Sequence, residues 1–113
     1  MPAPAPIRVR PRVRRDVDGA FNHYLDEAGA EVALRFADDV EKSLHLLAAQ
    51  PGMGSHRHAA LLRWPAIRSW PLRPWPYLVL YQPQGDHLDI VRVLHTARDI
   101  AATLAEPDTG GPK

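Results

Sequence analysis

Apolar and charged residues alternate singly at Ile7-Arg8-Val9-Arg10, the two-residue period of a strand with one buried face. From Pro11 the period lengthens. Val13, Val17, Ala20, Phe21, Tyr24, Leu25 and Ala28 recur at spacings of three and four, which places them on one stripe of a helix. Gly29 suits the end of that helix. A second stripe follows at once, Val32, Phe36, Val40, Leu44 and Leu47, running to Gln50 and stopped by Pro51-Gly52. So short a connection between two amphipathic helices predicts an antiparallel helical hairpin.

Residues 51–65 have glycine and proline at their edges and no clean period, which predicts a loop. Three strands are expected next: IRSWPL at 67–72, PYLVLY at 76–81 and HLDIVRVLH at 87–95. In the second, Tyr77, Val79 and Tyr81 alternate with Leu78 and Leu80. In the third, Leu88, Ile90 and Leu94 stand against Val91 and Val93. Strands that are apolar on both faces belong in the middle of a covered sheet. Gln82 to Asp86 reads as a hairpin loop. Pro71, Pro74 and Pro76 cannot donate to a ladder, so the first of the three strands is an edge or an irregular one. Thr96 to Leu104 predicts a short helix, with Thr96 as its cap and Asp99 three residues on completing a weakened capping box.

The order is therefore β-α-α-β-β-β-α, an α+β fold in which a helical hairpin packs on a small, mostly antiparallel sheet. With 113 residues there is room for one domain, expected over 7–105, between a flexible Pro/Ala arm at 1–6 and a disordered tail at 106–113. The absence of cysteine excludes disulfides, iron–sulfur clusters and thiolate zinc sites. No apolar run reaches the roughly 20 residues of a membrane span, and MPAPAP lacks the features of a signal peptide. A cytoplasmic protein without membrane association is expected.

The net charge of +1 conceals a segregation. Arg8, Arg10, Arg12, Arg14 and Arg15 open the chain with no acid among them, and residues 16–41 then hold eight carboxylates against one arginine. From Lys42 to Gly85 there are five cations and no acid. Such polarity points to an acidic partner or nucleic acid, or to solvated faces of a small domain. Arginines at a helix start also oppose the helix dipole, so something other than helix stability retains them.

The residues that follow these patterns resemble a known family. IRVRPRVRRDVDGAFNHYL is similar to the opening of the RelE/ParE toxins of type II toxin–antitoxin systems, and LLAAQPGMG to their exit from the second helix. IRSWPL followed by PYLVLY resembles their hairpin. IVRVLHTARD at 90–99 is close to the pattern of the ParE branch. The resemblance spans about residues 7–105 and implies a protein held inactive by a cognate ParD-like antitoxin with a ribbon-helix-helix domain.

Two mechanisms occur on this fold. RelE-like members cut mRNA on the ribosome, which requires a base, an acid and cations for the phosphorane charge. Their C-terminal tyrosine has no counterpart here, since no aromatic residue follows Tyr81. Leu78 stands where they carry an arginine, and Thr96-Ala97 replaces their Lys-Arg pair. A nuclease would have to use His95, Arg92 and Arg98. ParE-like members instead poison DNA gyrase by binding and need no catalytic residue. The expectation is a ParE-like gyrase inhibitor. The alternatives are a ribosome-dependent endoribonuclease and a non-toxic degenerate member.

Arg92, His95 and Arg98 are accordingly the candidates for target contact. Arg92 inside an apolar strand also suits an ion pair with Asp99 or a helix carboxylate. Arg12, Phe36, Trp64, Trp70, Arg73 and Trp75 are the candidates for antitoxin contact. Tryptophan and arginine are enriched at interface hot spots, although one or two of these tryptophans would also fill a core of this size. His56 and His58 have no carboxylate or cysteine beside them, so neither a metal nor a cofactor is expected.

Overall fold

Gly29 sits at φ 92°, a backbone conformation that glycine adopts without strain, and serves two helices at once. It closes α1 (Pro11–Ala28), where its N–H donates to the Leu25 carbonyl, and its own carbonyl accepts from Ala33 to open α2 (Ala30–Ala49). The hairpin lies against a four-stranded sheet of order β1-β4-β3-β2, formed by β1 (Ile7–Val9), β2 (Arg68–Pro71), β3 (Tyr77–Gln84) and β4 (His87–His95). The structure, a computed structural model, describes residues 3–99. Among the described residues only the β1–β4 pair is parallel. β2–β3 and β3–β4 are antiparallel, as expected. Residues 3–6 lead into the sheet, where the Ala5 N–H donates to the Ala48 carbonyl and the Pro6 carbonyl accepts from Leu88.

Both faces of the sheet are covered. On one, Val13 and Ala20 of α1 and Phe36, Val40 and Leu47 of α2 bury Tyr77, Val79, Tyr81, Ile90 and Val93. On the other, Ala59, Leu62, Trp64 and Ile67 bury Leu78, Leu80, Val91 and Leu94. The segment at 51–65, aperiodic in sequence, is therefore a second cover for the sheet. It is fastened by paired backbone bonds between Ser55 and Ser69. That cover gives the two-sided apolar pattern of β3 its physical reason.

Three local expectations need correction. β4 does not alternate strictly, because a β-bulge shifts the register so that Leu80 pairs with Arg92 but Tyr81 with Ile90. Val91 is skipped, so Val93 joins Ile90 on the helix side and Leu94 joins Val91 on the other. The β3–β4 connection is shorter than the expected Gln82–Asp86 loop. β3 continues to Gln84, and the turn is Gly85-Asp86 with Gly85 at φ 62°. Finally, the cap after β4 is His95 rather than Thr96. Its Nδ1 accepts from the N–H groups of Ala97 and Arg98, while Asp99 Oδ2 accepts from the His95 N–H. Arg98 and Asp99 are helical, and the rest of the helix expected to Leu104 lies outside the described residues.

Among the described residues no helix is long and apolar enough to cross a membrane.

Candidate partner-binding surface

The three tryptophans have three different fates. Trp64 is buried, donates from Nε1 to Gln82 Oε1 at 3.1 Å, and lies under the Arg10 guanidinium at 5.2 Å. Arg10 in turn holds Asp89 through two bonds of 2.9 and 3.1 Å, and Gln82 Nε2 donates to the same carboxylate. Burial alone would push the Asp89 carboxyl up. The hydrogen bonds from Arg10 and Gln82, with the charges of Arg10 and His87, hold it below the usual carboxylate range instead. This network joins the start of α1, β3, β4 and the covering segment. Trp64 is one of its members and has almost no surface to offer a partner.

Trp75 is half-buried. Its ring meets Tyr24 at 4.8 Å and Phe36 at 5.3 Å, both edge to face, and its Nε1 donates to Asp39 Oδ2 at 2.7 Å. Trp70, also half-buried, packs on the helix-side core. Phe36 itself is wholly enclosed. Arg73 is exposed on the turn between β2 and β3. Around these residues lie two depressions. A groove of about 620 Å³ is bounded by Arg57, His58, Trp75, Leu78 and Thr96. A second, of about 420 Å³, is bounded by Ser43, Leu46 and Trp70. Pro71 and Arg73 line both. Of the six residues expected at an antitoxin contact, Trp70, Arg73 and Trp75 thus come together at one rim. Phe36 and Trp64 are inside, and half-buried Arg12, in the first turn of α1, lines neither groove.

The other trio does not form a free cationic cluster. Arg92 donates to Asp16 of α1 at 2.8 and 3.0 Å, an ion pair with both side chains about seven-eighths buried. The pairing fulfils the expectation of a helix carboxylate and excludes Asp99 as the carboxylate bonded in this pair. Asp99 is bound to Arg98 at 2.9 Å instead. That hydrogen bond and charge raise the Arg98 pKa. For Asp99, burial acts upward, but the bonds from Arg98 and the His95 backbone outweigh it and lower its pKa. His95, capping the turn, packs its ring edge-on to Tyr77. Arg92 is thus held in an ion pair with α1, and His95 caps the turn after β4 through Nδ1.

Two features of this region were not singled out from the residues. The Arg10–Asp89–Gln82–Trp64 network has a signal in the sequence, because Gln82 and Asp89 are polar positions inside or beside apolar runs. Gly54 has a weaker one, its place in PGMG. Its N–H donates to Tyr81 Oη at 2.8 Å, and that hydroxyl donates to the Pro51 carbonyl. A Cβ on Gly54 would fall 2.5 Å from the same oxygen, so only glycine fits. Burial, only partly offset by the Gly54 hydrogen bond and Arg68, raises the Tyr81 pKa. His56 and His58 point Nδ1 to the Ile67 carbonyl and to Ser69 Oγ, pinning the cover to β2.

Comparison with known proteins agrees with this layout. Residues 7–100 match the family described as the ParE toxin of the type II toxin–antitoxin system parDE. A curated relative, Toxin ParE3 of Caulobacter vibrioides, is 34% identical over 100 residues, covering 88% of this chain and 94% of the relative. Among solved structures, one described as a chromosomal ParDE TA system from P. aeruginosa superposes with a TM-score of 0.70 at 22% identity. It covers 80% of this chain and 95% of that one. At that identity the likeness concerns the fold.

Proposed function

The chain belongs to the ParE family and is the toxin component of a type II toxin–antitoxin system; from that premise we propose that it acts in the cytoplasm as a DNA gyrase poison that works by binding. A cognate ParD-like antitoxin neutralises it, and the domain over 7–105 carries the activity. The observation that carries this reading is the commitment of Arg92 to Asp16 and of His95 to the turn after β4. Those are the side chains a ribonuclease would need for charge neutralisation and proton transfer. No aromatic residue follows Tyr81, so the C-terminal tyrosine of the RelE-like members has no counterpart here.

A gyrase poison needs a complementary surface rather than an acid–base pair, and the rim formed by Trp70, Arg73 and Trp75 suits recognition by a protein. The test is to produce the chain without an antitoxin and follow gyrase supercoiling and gyrase-dependent DNA cleavage beside translation in a cell-free extract. Lost supercoiling with intact mRNA is the expected result. Cleaved mRNA with normal supercoiling would overturn the proposal in favour of a ribosome-dependent nuclease. Silence in both assays would identify a family member that has lost toxicity.

A further inference from the structure

The two grooves that share Pro71 and Arg73 form one trough, from Leu46 on α2, across the end of β2, to Arg57 and Thr96 beyond it. β2 is an edge strand, yet it cannot accept another strand beside it. The outward N–H and carbonyl of Ser69 are both taken by Ser55, and two residues on, Pro71 has no N–H to give. Whatever lies across this edge must bind through side chains.

Among the described residues no carboxylate lines the trough. Arg57 and Arg73 are exposed on it, and among the described residues neither is in an ion pair. Burial, then the charge of Arg57, lower the His58 pKa, so the positive charge at neutral pH comes from the two arginines. Leu46, Trp70, Pro71 and Leu78 are among its apolar lining residues. Base stacking is poorly served, because Trp75 already meets Tyr24 and Phe36 and gives its N–H to Asp39.

We propose that this trough seats an acidic segment of a partner protein, held by side chains and not by strand addition. An apolar residue of that segment lies over Leu46 and Trp70, and its carboxylates meet Arg73 and Arg57. That the partner is the antitoxin rests on the function proposed above.

The probe is a short fluorescein-labelled peptide of aspartate, glutamate, glycine and one leucine, titrated with the full chain and followed by anisotropy. Arg73 is the residue to change, because Trp75 braces Tyr24 and Phe36 whereas Arg73 is exposed. Arg73→Glu should weaken binding about tenfold or more, more so at low salt, with an unchanged melting temperature. Arg57→Glu should act in the same direction. Unchanged affinity in both variants overturns the proposal, as does tighter binding of an oligothymidine strand that the same variants abolish.

A second arm uses the cognate ParD-like antitoxin. Binding to the wild type that is weakened in Arg73→Glu supports both the trough and the antitoxin reading. Equal binding to both proteins overturns the trough as the antitoxin's seat and leaves that reading standing. If the antitoxin does not bind the wild type, the antitoxin reading fails, and the peptide titration alone decides the trough.

Discussion

Asp16 of α1 grips Arg92 of β4 with both carboxylate oxygens, at 2.8 and 3.0 Å, and one of those oxygens also accepts the N–H of Val93 at 3.0 Å. β1 accompanies β4 only as far as Ile90. Past that point a single carboxylate does the work of a missing strand, satisfying an edge N–H and neutralising the charge next to it.

Asp16→Ala should therefore destabilise the fold by about 3 kcal/mol, since it removes the carboxylate from a mostly buried guanidinium and the acceptor from an edge N–H. Urea denaturation would measure it. A loss below about 1 kcal/mol would mean that Arg92 relaxes into water and that the pair is peripheral.

Asp89→Asn should cost about 2 kcal/mol at neutral pH, because Arg10 then faces an amide instead of a carboxylate. The folded pKa of Asp89 is depressed, so its stabilisation is complete above the unfolded carboxylate value and is lost as pH falls through the folded one. The wild type's advantage over the variant should hold at neutral pH and shrink below about pH 4. A constant difference down to pH 2 would contradict the assignment.

Gly54→Ala places a methyl group 2.5 Å from Tyr81 Oη and 2.9 Å from the Ser69 carbonyl. The expected loss is about 3 kcal/mol, from overpacking together with the broken chain of hydrogen bonds through Tyr81 to Pro51. Combining it with Tyr81→Phe, which removes the crowded hydroxyl but keeps ring carbon Cε1 at 2.6 Å, should recover a part of that loss. If the double variant is as unstable as the sum of the two single ones, the clash lies elsewhere.

His95→Ala removes the acceptor of two N–H groups in the turn after β4 and should cost about 1 kcal/mol, as loss of a helix cap does. Growth arrest by the uninhibited protein should persist, because the proposed mechanism is binding and needs no base. Loss of arrest in a variant that still folds cooperatively would count directly against a binding mechanism.

Much of this molecule is legible in the chain alone, because the two helical stripes, Gly29 and the alternation in β3 are local consequences of period and of backbone freedom. The segregated charge, the lack of cysteine and the absence of aromatic residues after Tyr81 are likewise properties of composition. They limit the chemistry whatever the fold.

Only the folded chain decides the rest. An aperiodic segment carries no signature of being a lid, so residues 51–65 disclose their role only when Trp64 meets Gln82 and Leu62 joins Leu78 and Leu80 in one cluster. Nor does spacing along the chain distinguish Trp64, buried in that cover, from Trp70 and Trp75 at the rim. The bulge that skips Val91 depends on how β3 and β4 settle against each other. The partners of Arg92 and Arg10 lie 76 and 79 residues away. A charge in an apolar strand announces that it must be paired, but which carboxylate pairs with it is a matter of which helix the sheet brings alongside.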